Sequence, residues 1–168
     1  MAKKKILVAV TGMSPQIITE TLFALYQRDQ WVPAEIWVLT TDTGKQQIVN
    51  NLLGEHGFFR RLCEEYELPF IRFDEESVRV IEDQSGKALA DIRTPSENDR
   101  AADQIVRFIH DLCADAATEL HVSIAGGRKS MGFYIGYALS LFGRSQDRLS
   151  HVLVEEAFEQ NPEFYYPN

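Results

Sequence analysis

The sequence predicts an α/β fold, a Rossmann-like three-layer sandwich with a mostly parallel sheet and a β-hairpin insertion, on three observations. Continuous apolar runs of strand length alternate with longer amphipathic segments. Glycine-containing loops follow two of those runs, at Thr11-Gly-Met-Ser-Pro15 and Ala125-Gly-Gly-Arg-Lys-Ser130. Prolines and hydroxyl residues mark helix starts at Ser14-Pro15 and Thr94-Pro95. Strands joined through helices run parallel, with helices covering both faces.

The elements follow in order. Ile6–Val10 is an apolar run suited to a strand buried on both faces, and Ser14-Pro15 supplies a cap and first-turn proline for a helix to about Gln27. Ile36–Leu39 predicts a second strand, followed by a turn at Thr40–Lys45. Helical patterning then runs from Gln46 to Glu65, with a break near Gly54–Gly57. Phe70–Phe73 predicts a short third strand. VRVIED and KALADI flank Gln84-Ser-Gly86 and predict a β-hairpin over residues 77–92. Thr94-Pro95-Ser96-Glu97 fits a capping box, and Ala102, Ile105, Val106, Ile109, Leu112 and Cys113 form an apolar stripe behind it. Leu120–Ile124 predicts a strand, Lys129–Phe142 a helix and Leu149–Val154 a final strand. In the last helix Met131, Tyr134, Ile135, Ala138 and Phe142 are expected to face the core, and Gly132, Gly136 and Ser140 to let it lie close on the sheet. A ridge touching another subunit is the alternative for these small residues.

Bulk properties bound the function. The 168 residues suffice for one domain with one core, and 45% hydrophobic residues with no long polar tract argue against disorder. One domain is expected over residues 1–168, with a C-terminal truncation left open and the aromatic tail FEQNPEFYYPN expected to pack. No apolar run reaches the roughly 18 residues of a membrane span, and KKKILVAVTG is too short for a signal peptide, so a cytoplasmic location is expected. Cys63 and Cys113 have no CxxC spacing, and the four histidines are scattered; neither a disulfide nor a metal site is predicted. A formal net charge of −8 argues against coating long nucleic acid, but allows one local pocket for a small anion.

Such a pocket has candidates. In an open parallel sheet, ligands collect beyond the carboxyl ends of the strands where strand order reverses. If the strands before the two glycine loops are neighbours, two helix starts point into one crevice. Thr11, Gly12, Met13, Ser14 and Gln16 belong to the first loop; Gly126, Gly127, Arg128, Lys129 and Ser130 belong to the second. Cations at a helix start are disfavoured by roughly 0.3–1 kcal/mol each, so Arg128 and Lys129 there suggest an anion to offset that cost. Gly126-Gly127 reads equally as a tight turn, and Ser14 as a cap rather than a nucleophile, since no base is placed beside it. Thr41 and Asp42 follow the second strand, where Asp42 is either a ribose or adenine contact or a plain turn residue. Arg93, between hairpin and capped helix, is placed to reach a phosphate or stack on a base. Neither loop has GxGxxG spacing, and Arg128 interrupts a Walker-type Gly-Lys-Ser.

Several separated motifs carry a family resemblance: Val8-Ala-Val-Thr-Gly-Met-Ser-Pro-Gln-Ile-Ile-Thr-Glu-Thr21, Asp91-Ile-Arg-Thr-Pro95, Ser123-Ile-Ala-Gly-Gly-Arg-Lys-Ser-Met131, His151-Val-Leu-Val154 and Pro162-Glu-Phe-Tyr-Tyr-Pro167. Together they resemble the CRISPR-associated ring nucleases with a CARF domain. The resemblance implies a CARF-like homodimer that binds a cyclic oligoadenylate, foremost cyclic tetra-adenylate, without cofactor or membrane. It implies metal-independent cleavage by ribose 2′-OH attack, with Lys129 neutralising phosphate charge and Ser14 orienting the phosphate. Arg128 departs from the small polar residue common there, which leaves its role open. A non-cleaving sensor for a separate effector domain is the alternative, and an unrelated mononucleotide or sugar-phosphate protein is a third.

Overall fold

The structure, a computed structural model, describes residues 3–123 and 129–150. Five strands form one sheet: β1 (Lys4–Val10), β2 (Glu35–Thr40), β3 (Val78–Val80), β4 (Thr118–Ser123) and β5 (Arg148–Ser150). Their order is β3-β2-β1-β4-β5 and every pair is parallel. Five α-helices connect them: α1 (Gln16–Asp29), α2 (Asp42–Asn51), α3 (Phe58–Glu65), α4 (Pro95–Cys113) and α5 (Lys129–Phe142). No described helix is long and apolar enough to cross a membrane.

Period-two alternation in β1 builds both halves of the core. Leu7 and Ala9 pack with Ile36, Val38 and the inner faces of α1, α2 and α3, including Ile18, Leu22, Ile48 and Leu62. Ile6, Val8 and Val10 pack with Leu120, Val122 and the α4 and α5 residues Ile105, Ile109, Met131 and Ile135. Apolar side chains on both faces explain why the run lacks polar alternation: the sheet is the middle of three layers.

The capping box of α4 forms as predicted. Thr94 Oγ1 accepts from the Glu97 N–H at 3.1 Å, while Glu97 accepts from the Thr94 N–H at 2.9 Å, with Pro95 at the first position. The stripe behind it buries Ala101, Ile105 and Ile109, whereas Ala102 is only half-buried, so the inward face lies one residue away from the predicted start. The break at Gly54–Gly57 separates α2 from α3 as expected.

Three local expectations are corrected. The run Phe70–Phe73 makes only an isolated bridge from Arg72 to Glu35: Ile71 and Phe73 are buried in the core as a strand's inner face would be, but the pairing with β2 does not extend beyond that bridge before β3 takes over the edge. Instead VRV, predicted as a hairpin arm, pairs parallel with β2 as the edge strand β3. Of the hairpin only the Glu82–Ala88 bridge remains, around a turn where Asp83 accepts from the N–H groups of Ser85 and Lys87. Past β3 the Gln104 amide accepts from the Glu82 N–H at 3.0 Å and donates to its carbonyl at 2.7 Å, standing in for a strand on that edge.

In α5 the inward positions are Met131, Ile135 and Ala138. Gly132 and Gly136 are half-exposed and Ser140 is exposed, and a Cβ built on Gly136 would meet nothing within 4 Å. The small ridge therefore faces away from the sheet, contrary to expectation. The predicted last strand is described only as β5, and residues 151–168 lie outside the described residues.

Candidate functional site

Strand order reverses between β1 and β4, which makes their carboxyl ends the place where an open α/β sheet forms a crevice. Ala9 is in register with Ser123, so the chain passes into residues 11–15 and toward residues 124–128 from adjacent strand ends. The adjacency on which the two-loop reading depends is thus present. Gly126, Gly127 and Arg128 lie outside the described residues, while Lys129 and Ser130 open α5.

Thr11 extends the ladder by donating its N–H to the Leu39 carbonyl at 3.1 Å. It is fully buried, and its hydroxyl has no hydrogen-bond partner among the described residues. Gly12 is half-buried, whereas Met13, at 58% exposure, and Ser14 stand on the rim. Ser14 does not cap α1. Pro15 occupies that place with φ −68° and ψ −18°, already helical, and its carbonyl accepts the Ile18 N–H at 3.1 Å. The ring fixes φ in the helical range, and the helix opens with a tight turn to the Pro15 carbonyl rather than with a hydroxyl cap. Gln16, the first residue of α1, is half-buried.

The turn expected at Thr40–Lys45 is the opening of α2. Thr41 is its N-cap, its hydroxyl accepting the Gly44 N–H at 3.2 Å. Asp42 donates its N–H to the Leu89 carbonyl at 2.7 Å, and its carboxylate accepts from the Gln46 amide at 3.2 Å. The start of α2 therefore has its polar groups engaged by the protein itself. Arg93 stands just ahead of α4, 79% exposed, its guanidinium 3.1 Å from Asp91. Backbone N–H groups of Arg93 and Thr94 hold the Glu97 carboxyl below its ordinary range. The Asn98 amide donates to the Tyr134 hydroxyl at 2.8 Å and ties the first turn of α4 to the second turn of α5.

Three residues at this end escaped the sequence reading. Thr40 is fully buried with no partner for its hydroxyl among the described residues, Ser123 closes β4 as a buried serine, and Gly44 sits buried in the first turn of α2. The available signal was small polar residues directly after apolar runs, which also describes any strand-to-loop junction. Among the described residues no histidine or cysteine joins this crevice, and no group of three or more His, Cys, Asp and Glu could hold a metal ion. What the arrangement offers is hydroxyls, backbone amides and a helix start carrying a lysine: a set suited to holding an anion.

A family model described as "CRISPR-associated protein NE0113 (Cas_NE0113)" matches residues 14–168. The chain belongs to this CRISPR-associated family. The matched span includes both Ser14 and Lys129 and the strands β2 to β5, while β1 precedes it. No curated protein matches the sequence. Among solved structures the chain is similar to a protein titled a UDP-N-acetylglucosamine 2-epimerase from Listeria monocytogenes, at 16% identity and TM-score 0.45, over 90% of this chain and 32% of that one. A second structure titled UDP-N-acetylglucosamine 2-epimerase gives 11% identity and TM-score 0.45, over 97% of this chain and 36% of that one. The chain spans about a third of the length of these structures.

Proposed function

We propose that this CRISPR-associated chain binds a cyclic oligoadenylate, cyclic tetra-adenylate first, at a homodimer and cleaves it slowly, switching off type III CRISPR signalling. The observation that supports the reading is the pairing of β1 with β4, since the Ser14 loop leaves one of these neighbouring strands and α5, opened by Lys129, follows the other. In the proposed step a ribose 2′-oxygen attacks the adjacent phosphorus and the bond to the 5′-oxygen breaks. The products are a 2′,3′-cyclic phosphate and a 5′-hydroxyl, with the proton passing from the 2′-oxygen to the leaving oxygen through solvent. Nucleophile and leaving group both belong to the RNA, so the chain's own part is to hold the two in line and offset the phosphorane charge. Lys129 supplies that charge and Ser14 orients the phosphate. With no general base among the described residues of the crevice, the rate is slow.

The two-copy assembly draws its support from α5. Phe133, Tyr137 and Leu141 lie exposed along its outer face, with the Phe133 and Tyr137 rings stacked at 6.2 Å. Beside them lies a shallow recess of about 330 Å³ lined by Gly136, Ser140, Gly143 and Leu149, with the mutually paired Arg144 and Asp147 at one side of it. One face thus carries both knobs and a hole, as a two-fold contact needs. Residues 131–143 carry no charge, so copies of a −8 chain meet there with least repulsion.

The reading is tested by incubating the purified chain with cyclic tetra-adenylate in EDTA under single-turnover conditions and resolving the products. Linear adenylates ending in 2′,3′-cyclic phosphate are expected. An intact ring rejects cleavage, and tight binding of an intact ring supports a sensor instead.

A further inference from the structure

Gly44 is the one residue of α2 at which the sequence contradicts the helix it forms. Glycine in a helix costs up to about 1 kcal/mol relative to alanine, so a buried glycine in a first turn calls for a reason. Space supplies it. A Cβ on Gly44 would overlap Thr40 Oγ1 and would stand 2.6 Å from the Gly12 carbonyl oxygen, with Thr40 Cβ at 3.3 Å. Three separate pieces of the carboxyl-end rim therefore touch at one Cα: the end of β2, the first turn of α2 and the loop after β1.

We propose that Gly44 is a positioning residue of the crevice: its missing side chain lets the start of α2 seat against Thr40 and the Gly12 carbonyl, and so fixes the height of the 11–15 loop above the sheet. The inference rests on the reading of that loop as a ligand-binding element, though the seating itself does not. The two contacts differ in kind. Thr40 Oγ1 belongs to a side chain and can be removed by mutation, whereas the Gly12 oxygen is backbone and can only move with its loop. A methyl at position 44 forces that oxygen back by most of an ångström, taking Met13 and Ser14 with it. The Thr41–Gly44 cap stiffens the first turn of α2 and the Asp42–Leu89 hydrogen bond anchors it to the 82–89 turn, so the 11–15 loop yields before the helix does.

The test compares Thr40→Ala, Gly44→Ala and the double variant. Removing the Thr40 side chain relieves the overlap with Oγ1, so the double variant is expected to melt within a few degrees of Thr40→Ala. Without any ligand, amide hydrogen exchange at residues 11–14 is expected to be about tenfold faster in the double variant than in Thr40→Ala, with β4 and α4 unchanged. Single-turnover cleavage of cyclic tetra-adenylate is expected to fall roughly ten- to a hundredfold, as for a misplacement near 1 Å. Unchanged exchange at 11–14 overturns the proposal, and so does faster exchange throughout the molecule, which marks Gly44 as a core position only. If the wild-type chain neither binds nor cleaves the ring, the functional reading fails while the exchange comparison still decides the role of Gly44.

Discussion

The two ends of the sheet are built on opposite principles. At the amino end polar groups are matched to one another. Asp147, its side chain 1% exposed, accepts from the Leu120 N–H at 2.9 Å and from the Arg144 backbone and guanidinium at 2.8–3.1 Å. Arg144 in turn donates to the carbonyls of Cys113 and Asp115 and to Thr118 Oγ1. Across the sheet, Glu35 binds Lys4 at 3.0 Å and Arg72 at 3.4 Å. At the carboxyl end the hydroxyls of Thr11 and Thr40 are buried without partners among the described residues, and contacts depend on glycines. Buried unsatisfied polar groups cost stability; Thr21, Trp37, Arg100 and His121 also hold such atoms among the described residues, but Thr11 and Thr40 place two of them directly at the strand ends that face the crevice.

The difference is broken most severely at Asp147. Asp147→Ala leaves the Arg144 guanidinium and the Leu120 N–H without their acceptor, and a loss of about 3 kcal/mol is expected in urea unfolding. Burial pushes the Asp147 carboxyl up, but the Arg144 hydrogen bond and the backbone N–H donors outweigh it, and its pKa lies below the ordinary range. A depressed carboxyl contributes stability that is present above the unfolded value and lost as pH falls through the folded one. The stability difference between wild type and Asp147→Ala should therefore be full at neutral pH and shrink as pH falls through the folded value.

At the other end Lys129→Ala is expected to lower single-turnover ring cleavage about a hundredfold with an unchanged melting temperature. Wild-type cleavage in that variant would place the anion site elsewhere. Thr11→Val keeps the shape and removes an orphan hydroxyl, so it is expected to raise stability by about 1 kcal/mol, a sign opposite to that at Asp147. A loss of stability on chemical unfolding would show that the hydroxyl is satisfied in solution.

The smallest effect concerns His121, in the middle of β4 against Trp31. Burial lowers its pKa, with Asp29 opposing and Arg148 and Arg28 assisting. Its contribution is full above the ordinary imidazole range and fades as pH falls through it toward the folded value. Wild-type stability should decline modestly from about pH 7.5 to 5.5, and His121→Phe should remove that decline.

The amino-acid order carried much of this. The doubly apolar run of β1, the Thr94–Glu97 box and the Gly54–Gly57 break each act locally, and each is seen where the sequence places it. Long-range competition hid the rest. Nothing within VRV distinguishes a hairpin arm from a parallel edge strand, since the choice is made by β2. Pro15 opens α1 without a Ser14 cap, whereas α4 keeps its Thr94 cap beside Pro95, so the Ser-Pro and Thr-Pro pairs read alike in sequence but close differently in the fold. Ser14 and Lys129 were legible as loop residues after apolar runs, while Gly44 and Thr40 matter through contacts that only the fold creates. The outward turn of Gly136 follows from Met131, Ile135 and Ala138 claiming the inward face, a choice that helical spacing alone leaves open.

The contrast between the two ends is tested most directly by the footprint of the ring on the whole chain. Amide hydrogen exchange with and without cyclic tetra-adenylate should show protection at residues 11–14 and at the start of α5, with the Arg144–Asp147 turn unchanged. Protection centred on the amino end, or none at a saturating ring concentration, would contradict a carboxyl-end binding crevice.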